Sequence, residues 1–262
     1  MKAANFIFCG FALLALVLGS RLQSSAQSVT YDEILHSASH PDDWLTYGGN
    51  YASQRFSELK QINKMNVDSL KLRWVYQLRR QGIFESSPIV VDGMMYVTEP
   101  PTTVTALDVR TGRPVWRWSA DLPKNLLTIG LFPTNRGVAI LGDTVYVATI
   151  DAHLVALDAK TGTVRWSVEI GSNKQAVAIT QAPLAINGKI IVGMGGGEGG
   201  LRGYIDAYDA KDGKRLWRLY TIPTTGEPGV ETWEGDTYKY GGATTWNTGC
   251  LLYTSPSPRD RG

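Results

Sequence analysis

The chain is poor in the groups that most often carry chemistry on their own. Its 262 residues hold two cysteines and three histidines. Cys9 and Cys250 stand at opposite ends of the chain, so no metal-type cysteine spacing exists. Charge of one sign is also lacking. Lys and Arg number 26 against 24 Asp and Glu, the formal net charge is +2, and no long basic run appears. A nucleic-acid-binding surface therefore has no electrostatic support. Helical periodicity is missing too, since no helical pattern of useful length interrupts the β-rich runs that begin near residue 88. The apolar content is ordinary for a globular protein, and eight tryptophans supply large side chains for a core.

The one apolar run near the N-terminus, Phe6 to Leu18, is too short for a comfortable transmembrane helix. It follows Lys2 and precedes the small residues Ser24-Ser25-Ala26. That order is the pattern of an export signal over residues 1–26, cut before Gln27. An uncleaved anchor is the alternative. With the signal removed, the mature chain has no membrane span, at most one cysteine, and a place outside the cytoplasm.

What the sequence does contain is a phrase written three times. Asp108-Val-Arg-Thr-Gly-Arg-Pro-Val-Trp116 returns as Asp158-Ala-Lys-Thr-Gly-Thr-Val-Arg-Trp166 and as Asp209-Ala-Lys-Asp-Gly-Lys-Arg-Leu-Trp217. The tryptophans recur after 50 and 51 residues, from 116 to 166 and from 166 to 217. A period of that size marks stacked or radial units. Each unit reads as four short strands. Pro88–Val91 and Met94–Val97 flank Asp92-Gly93, and Val104–Val109 and Val115–Trp118 flank a Thr-Gly turn. An Asp-Gly pair between β-rich runs is a hairpin signal. The second unit repeats the order around Gly142-Asp143, and the third around Asn187-Gly188. Four-stranded units at this period predict an all-β fold of β-propeller blades, three of them complete between residues 88 and 220. In the turn, Asp can bond its own backbone two residues on, and Gly permits positive φ. The tryptophan is predicted to pack between neighbouring blades. A further strand is predicted at Leu72–Gln77, which carries Trp74 and reads as the outer strand of an incomplete blade.

In a propeller the first strand of each blade lies innermost. Residues just before it, and the loop after the second strand, share one end of the channel. Glu85, Arg136 and Thr180 sit seven, six and seven residues ahead of their hairpin turns, at matched places in successive units. After the second strand of the third unit comes Gly195-Gly196-Gly197-Glu198-Gly-Gly, which brings backbone amides and one carboxylate close to the channel mouth. A ring of Glu, Arg, Thr and Glu suits a polyanionic ligand with a hard cation, because Arg forks carboxylates and Glu oxygens suit Ca²⁺.

At these residues the sequence resembles the pyrroloquinoline quinone (PQQ)-dependent alcohol dehydrogenases, quinoproteins built as eight-bladed propellers. The resemblance runs from about Trp44 to about Gly249. It rests on Trp44-Leu-Thr-Tyr-Gly-Gly, Asn66-Val-Asp-Ser-Leu, the Trp repeats, Gly195–Gly203 and Gly241-Gly-Ala-Thr-Thr-Trp246. It implies that Glu85, Arg136 and Thr180 contact the quinone's carboxylates and carbonyls, and that Gly195, Gly196 and Gly197 lie along it. It also implies that Thr244 is a further polar contact, Trp246 the indole floor under the quinone ring, and Glu198 a ligand of Ca²⁺, with a lanthanide as the alternative metal. The implied reaction oxidises an alcohol in the periplasm and passes electrons to a c-type cytochrome. A sugar dehydrogenase of the same cofactor class and a non-catalytic propeller scaffold of the cell envelope are the competing readings.

The sequence departs from the family pattern in three places. Gly130 and Leu131 stand where many members carry adjacent, bridged cysteines, and Gly195 stands where methanol dehydrogenases have Ser. After Gly249 the family pattern calls for further blades, whereas residues 250–262 read Cys-Leu-Leu-Tyr-Thr-Ser-Pro-Ser-Pro-Arg-Asp-Arg-Gly. That segment resembles translated sequencing-adapter read-through, and its Ser and Pro content also fits a disordered tail. The expected division is a signal at 1–26, the N-terminal part of a propeller at 27–249, and a non-native or disordered tail at 250–262. On that division the chain is an inactive fragment that lacks the family's catalytic Asp.

Overall fold

The structure, a computed structural model, describes residues 28–126 and 132–251. The expected signal segment, Gly130 and Leu131, and all but two residues of the expected tail lie outside the described residues. Among the described residues, twelve strands form three four-stranded antiparallel sheets, each built from consecutive strands in chain order. The first holds β1 (Ile89–Val91), β2 (Met94–Glu99), β3 (Thr103–Asp108) and β4 (Pro114–Ser119). The second holds β5 (Ala139–Leu141), β6 (Thr144–Ala148), β7 (His153–Asp158) and β8 (Val164–Glu169). The third holds β9 (Leu184–Ile186), β10 (Lys189–Gly193), β11 (Tyr204–Asp209) and β12 (Arg215–Tyr220). These are the three predicted propeller blades. A short helix, α1 (Tyr31–Leu35), precedes them, closed by a capping box between Thr30 and Glu33.

The turns form for local reasons. Asp92 and Gly93 take φ of 49° and 77°, and Asn187 and Gly188 take 42° and 73°. Positive φ at both central residues is the type I′ geometry that suits a two-residue hairpin. The middle hairpin differs, because Gly142 exchanges backbone hydrogen bonds in both directions with Val29. In the outer turns, Asp108 Oδ1 accepts from the backbone of Arg110 and Thr111 at 3.0 Å each, and Asp158 repeats the pattern with Lys160 and Thr161. Trp116, Trp166 and Trp217 pair with Ala106, Ala156 and Ala207, small residues that sit beside a register shift in every blade.

The tryptophans join the blades. Trp116 Nε1 donates to Ala159 O at 2.9 Å, and its ring covers Gly162 of the second blade. Trp166 covers Gly213 of the third in the same way. The core between blades is completed by Tyr96 and Tyr146, whose hydroxyls donate to Ala159 O and Ala210 O. The strand predicted at Leu72–Gln77 does not form, since the segment pairs into none of the three sheets. Trp74 nonetheless docks as the other tryptophans do, with Nε1 on Val109 O at 2.8 Å and its ring against Gly112. The docking needs only the neighbouring blade. An outer strand also needs inner strands of its own blade to pair with, and none is present among the described residues.

Candidate functional site

The segments entering β1, β5 and β9 are tied together by their backbones. Ser87 N donates to Arg136 O at 3.0 Å, and Arg136 N donates to Thr180 O at 2.9 Å. Asn135 fixes the middle segment, with its Nδ2 on Ala148 O and its Oδ1 accepting from Gly137 N. Gly137 sits at φ +135°, and a β-carbon there would lie 3.0 Å from Ser87 O, so the three segments approach as closely as backbone allows.

This arrangement makes the matched positions converge. Arg136 NH2 lies 2.7 Å from Glu85 Oε2, and Arg136 NH1 donates to Thr180 Oγ1 at 2.6 Å. The guanidinium carbon stands 4.8 Å from the ring centroid of Trp246. One arginine thus joins a carboxylate from the first blade, a hydroxyl from the third, and an indole from the loop after β12. Thr180 is 3% exposed, whereas Trp246 leaves 46% of its surface open. A large, half-open aromatic face is suited to stacking a planar ligand.

Around these groups lies a cavity of about 200 Å³ lined by Glu85, Arg136, Thr180, Gly195, Gly196, Glu198, Thr244 and Trp246. Eight of the nine residues singled out from the sequence therefore line one cavity. The ninth, Gly197, does not line it. A β-carbon on Gly197 would lie 3.1 Å from Thr244 Oγ1, so this glycine backs the cavity by letting the two loops meet. Gly196 has φ +94° and would press a β-carbon onto Ala176 O, which excludes a side chain there. Phe132 and Thr134 also line the cavity and were missed by sequence reasoning. Both stand in the run leading to Arg136, where the position rule that selected Arg136 marks them too. A larger cavity of about 440 Å³ lies outward along the second blade, beside Asp151, His153, Glu169 and Lys174, and contains none of the convergent residues. The convergence of charge, hydroxyl and indole, rather than volume, makes the smaller cavity the candidate site.

The donor set fits a flat polyanion. Arg136 offers a planar fork, Thr180 and Thr244 offer hydroxyls, the glycine loop allows close backbone approach, and Trp246 offers a face. For a hard cation the fit is partial. Glu198 brings at most two carboxylate oxygens, and among the described residues no group of three or more His, Cys, Asp or Glu gathers as a metal site. Ca²⁺ takes six to eight oxygens, so groups other than the described residues would complete its shell.

Fold and cavity together define a β-propeller whose channel mouth matches a planar anionic ligand. The chain belongs to the PQQ family, the β-propeller domain of glucose, ethanol and alcohol dehydrogenases, whose model matches residues 44–251. It is 39% identical over 251 residues to the quinohemoprotein alcohol dehydrogenase ADH IIB of Pseudomonas putida, covering 90% of this chain and 36% of the relative. Among solved structures, the quinohemoprotein alcohol dehydrogenase ADHIIG of Pseudomonas putida HK5 superposes with a TM-score of 0.78 at 39% identity, covering 86% of this chain and 35% of that one. A europium-containing methanol dehydrogenase superposes with a TM-score of 0.76 at 33% identity, covering 82% and 41%. The chain thus spans about a third of the length of the curated relatives it matches. Among the described residues no helix is long and apolar enough to cross a membrane.

Proposed function

We propose that this chain forms one wall of the cofactor site of a periplasmic, PQQ-dependent alcohol dehydrogenase that passes its electrons to a c-type cytochrome. The observation that carries the reading is Arg136, held at once by Glu85 and Thr180 and lying over the indole of Trp246. When bound, PQQ supplies the two-electron acceptor and a divalent or lanthanide cation supplies the Lewis acid. The chain's residues do the holding. Arg136 forks a ligand carboxylate, Thr180 and Thr244 donate to ligand oxygens, and Trp246 supports the ring. Gly195 and Gly196 let the loop lie against it, and Glu198 presents oxygens to the cation. Ca²⁺ is the metal we favour, and the europium-containing relative makes a lanthanide the natural competitor in a test.

None of the described residues is assigned as the base that takes the alcohol proton, and the chain covers a third of its relatives' length. On this reading the 262 residues are an inactive N-terminal part of the enzyme, and binding rather than turnover tests it. Titration of the purified chain with PQQ, with and without Ca²⁺, should give saturable quenching of tryptophan emission, and W246F should lose most of it. Absence of saturable quenching in the unsubstituted chain with Ca²⁺ or a lanthanide would overturn the reading.

A further inference from the structure

Beside Thr180, on the same segment entering β9, stands Gln181, which is 3% exposed and does not line the cavity. Of its two amide orientations, one satisfies every neighbour. In that orientation Nε2 donates to Thr245 O at 2.8 Å and to Asn247 O at 2.7 Å, and Oε1 accepts from Gly193 N at the end of β10. Thr245 and Asn247 are the two chain neighbours of Trp246. One buried side chain therefore grips the backbone on both sides of the indole that floors the cavity.

Two side-chain hydroxyls add further ties to the same loop. Thr245 Oγ1 donates to Tyr204 O at 3.0 Å, and Thr248 Oγ1 donates to Ala182 O at 2.8 Å. Gly193 lies so close to Thr245 that a β-carbon there would collide with its carbonyl, so β10 and the Trp246 loop meet backbone to backbone. The indole itself is nearly half exposed and takes its place from the backbone that carries it. Two adjacent residues thus divide the work. Thr180 turns to the cavity and holds Arg136, while Gln181 turns away and holds the chain under Trp246.

We propose that Gln181 is a positioning residue that sets the place of the Trp246 indole relative to the Arg136 guanidinium, and so the fit of a planar anionic ligand against the two. The inference deepens the reading of a PQQ site and rests on it for the identity of the ligand. A buried amide that donates to two carbonyls cannot be replaced without leaving those carbonyls unpaired, and unpaired buried groups relax by moving. The part free to move is the loop bearing Trp246.

Two variants and one control test it. Q181M removes the polar atoms at similar size, and Q181E keeps the acceptor for Gly193 N but has no donor while ionised. T248A loosens the same loop without touching the flanks of Trp246. In the chain without ligand, Q181M and Q181E should raise acrylamide quenching of the Trp246 emission, taken as the difference from W246F, at least twofold, and T248A should not. With PQQ and Ca²⁺, both Gln181 variants should weaken the dissociation constant at least tenfold and T248A by less than twofold. Q181E should recover part of that loss between pH 8 and pH 5.5 relative to the unsubstituted chain, because a protonated carboxyl regains one donor. Acrylamide quenching unchanged in folded Q181M or Q181E, or raised equally in T248A, overturns the positioning role. If the unsubstituted chain binds no PQQ, the functional reading fails, while the acrylamide comparison still decides whether Gln181 places Trp246.

Discussion

Trp116 lies over Gly162 of the next blade so closely that a β-carbon on Gly162 would stand 2.5 Å from the indole. Gly162 also holds φ +72°, so the glycine is required twice, for its conformation and for the ring above it. We expect G162A to destabilise the chain by at least ~2 kcal/mol and W116A by ~3–5 kcal/mol, read from urea midpoints. Trp217 occupies the same place in the repeat but is 43% exposed. W217A should therefore cost less than ~1 kcal/mol. Equal losses in W116A and W217A would show that the tryptophans stabilise their own sheets rather than the junctions between blades.

That contrast shows what the sequence carried. The recurring tryptophan and turn glycine encode a contact between one repeat and the next, so their spacing revealed both the strands and the way blades join. The constant phase then identified Glu85, Arg136 and Thr180 as channel-mouth residues, and their side chains do meet. Where the reading stopped, the cause was tertiary. The segment around Trp74 has strand-like residues, yet a strand exists only where a ladder partner does. Gln181 looks like an ordinary polar residue, because its partners lie 64 and 66 positions further along. The motif puts Gly197 in a loop along the ligand, and the structure also makes it the seam between that loop and the one bearing Thr244.

Arg136 should not tolerate lysine. Its two terminal nitrogens reach different blades, with NH2 on Glu85 and NH1 on Thr180, while the guanidinium carbon lies over the Trp246 ring. An ammonium keeps the charge but has no rigid fork and no plane. R136K should weaken PQQ binding at least tenfold, about 1.4 kcal/mol or more, in the fluorescence titration while leaving the thermal midpoint close to that of the unsubstituted chain. Retention of full affinity in R136K would reduce the role of Arg136 to its charge.

Glu99 ties the segment before the first blade to that blade. It is fully buried at the end of β2, and accepts from Thr105 Oγ1 at 2.7 Å, Tyr76 OH at 2.9 Å, Arg79 N at 3.2 Å and Arg117 NH2 at 3.1 Å. Burial pushes its carboxyl pKa up, but the hydrogen bonds from Thr105, Tyr76 and Arg79 and the charge of Arg117 outweigh burial and hold it below the usual value. E99A leaves Arg117, whose side chain is only 21% exposed, without its partner and should cost ~2–3 kcal/mol. The double variant E99A/R117M should recover a large part of that loss. Limited proteolysis should cut between residues 76 and 83 faster in E99A than in the unsubstituted chain, and equal cutting rates would mean that the segment is held by other contacts.

The acid limit of the second blade should be set at the end opposite the cavity. Arg165 on β8 bridges two turns, with NH1 and NH2 on the carboxylate of Asp143 at 2.5 and 2.7 Å and NH2 on Asp158 Oδ2 at 2.7 Å. Its hydrogen bonds hold the Asp143 pKa down to about 2, against ~3.9 for an unperturbed aspartate. A folded-state pKa below the unfolded value means that the ionised pair adds stability above about pH 4, and that this increment is lost as pH falls from about 4 to 2. Asp143 is about half exposed, so solvent screening keeps the increment below ~1 kcal/mol. Many carboxylates titrate over this range, and the informative quantity is therefore the difference between the unsubstituted chain and D143N. That difference in urea midpoint should be constant from pH 7 to about 5 and close to zero near pH 2. A difference that persists at pH 2 would mean that Asp143 acts by packing and neutral hydrogen bonds, and that its charge is not what joins the two turns.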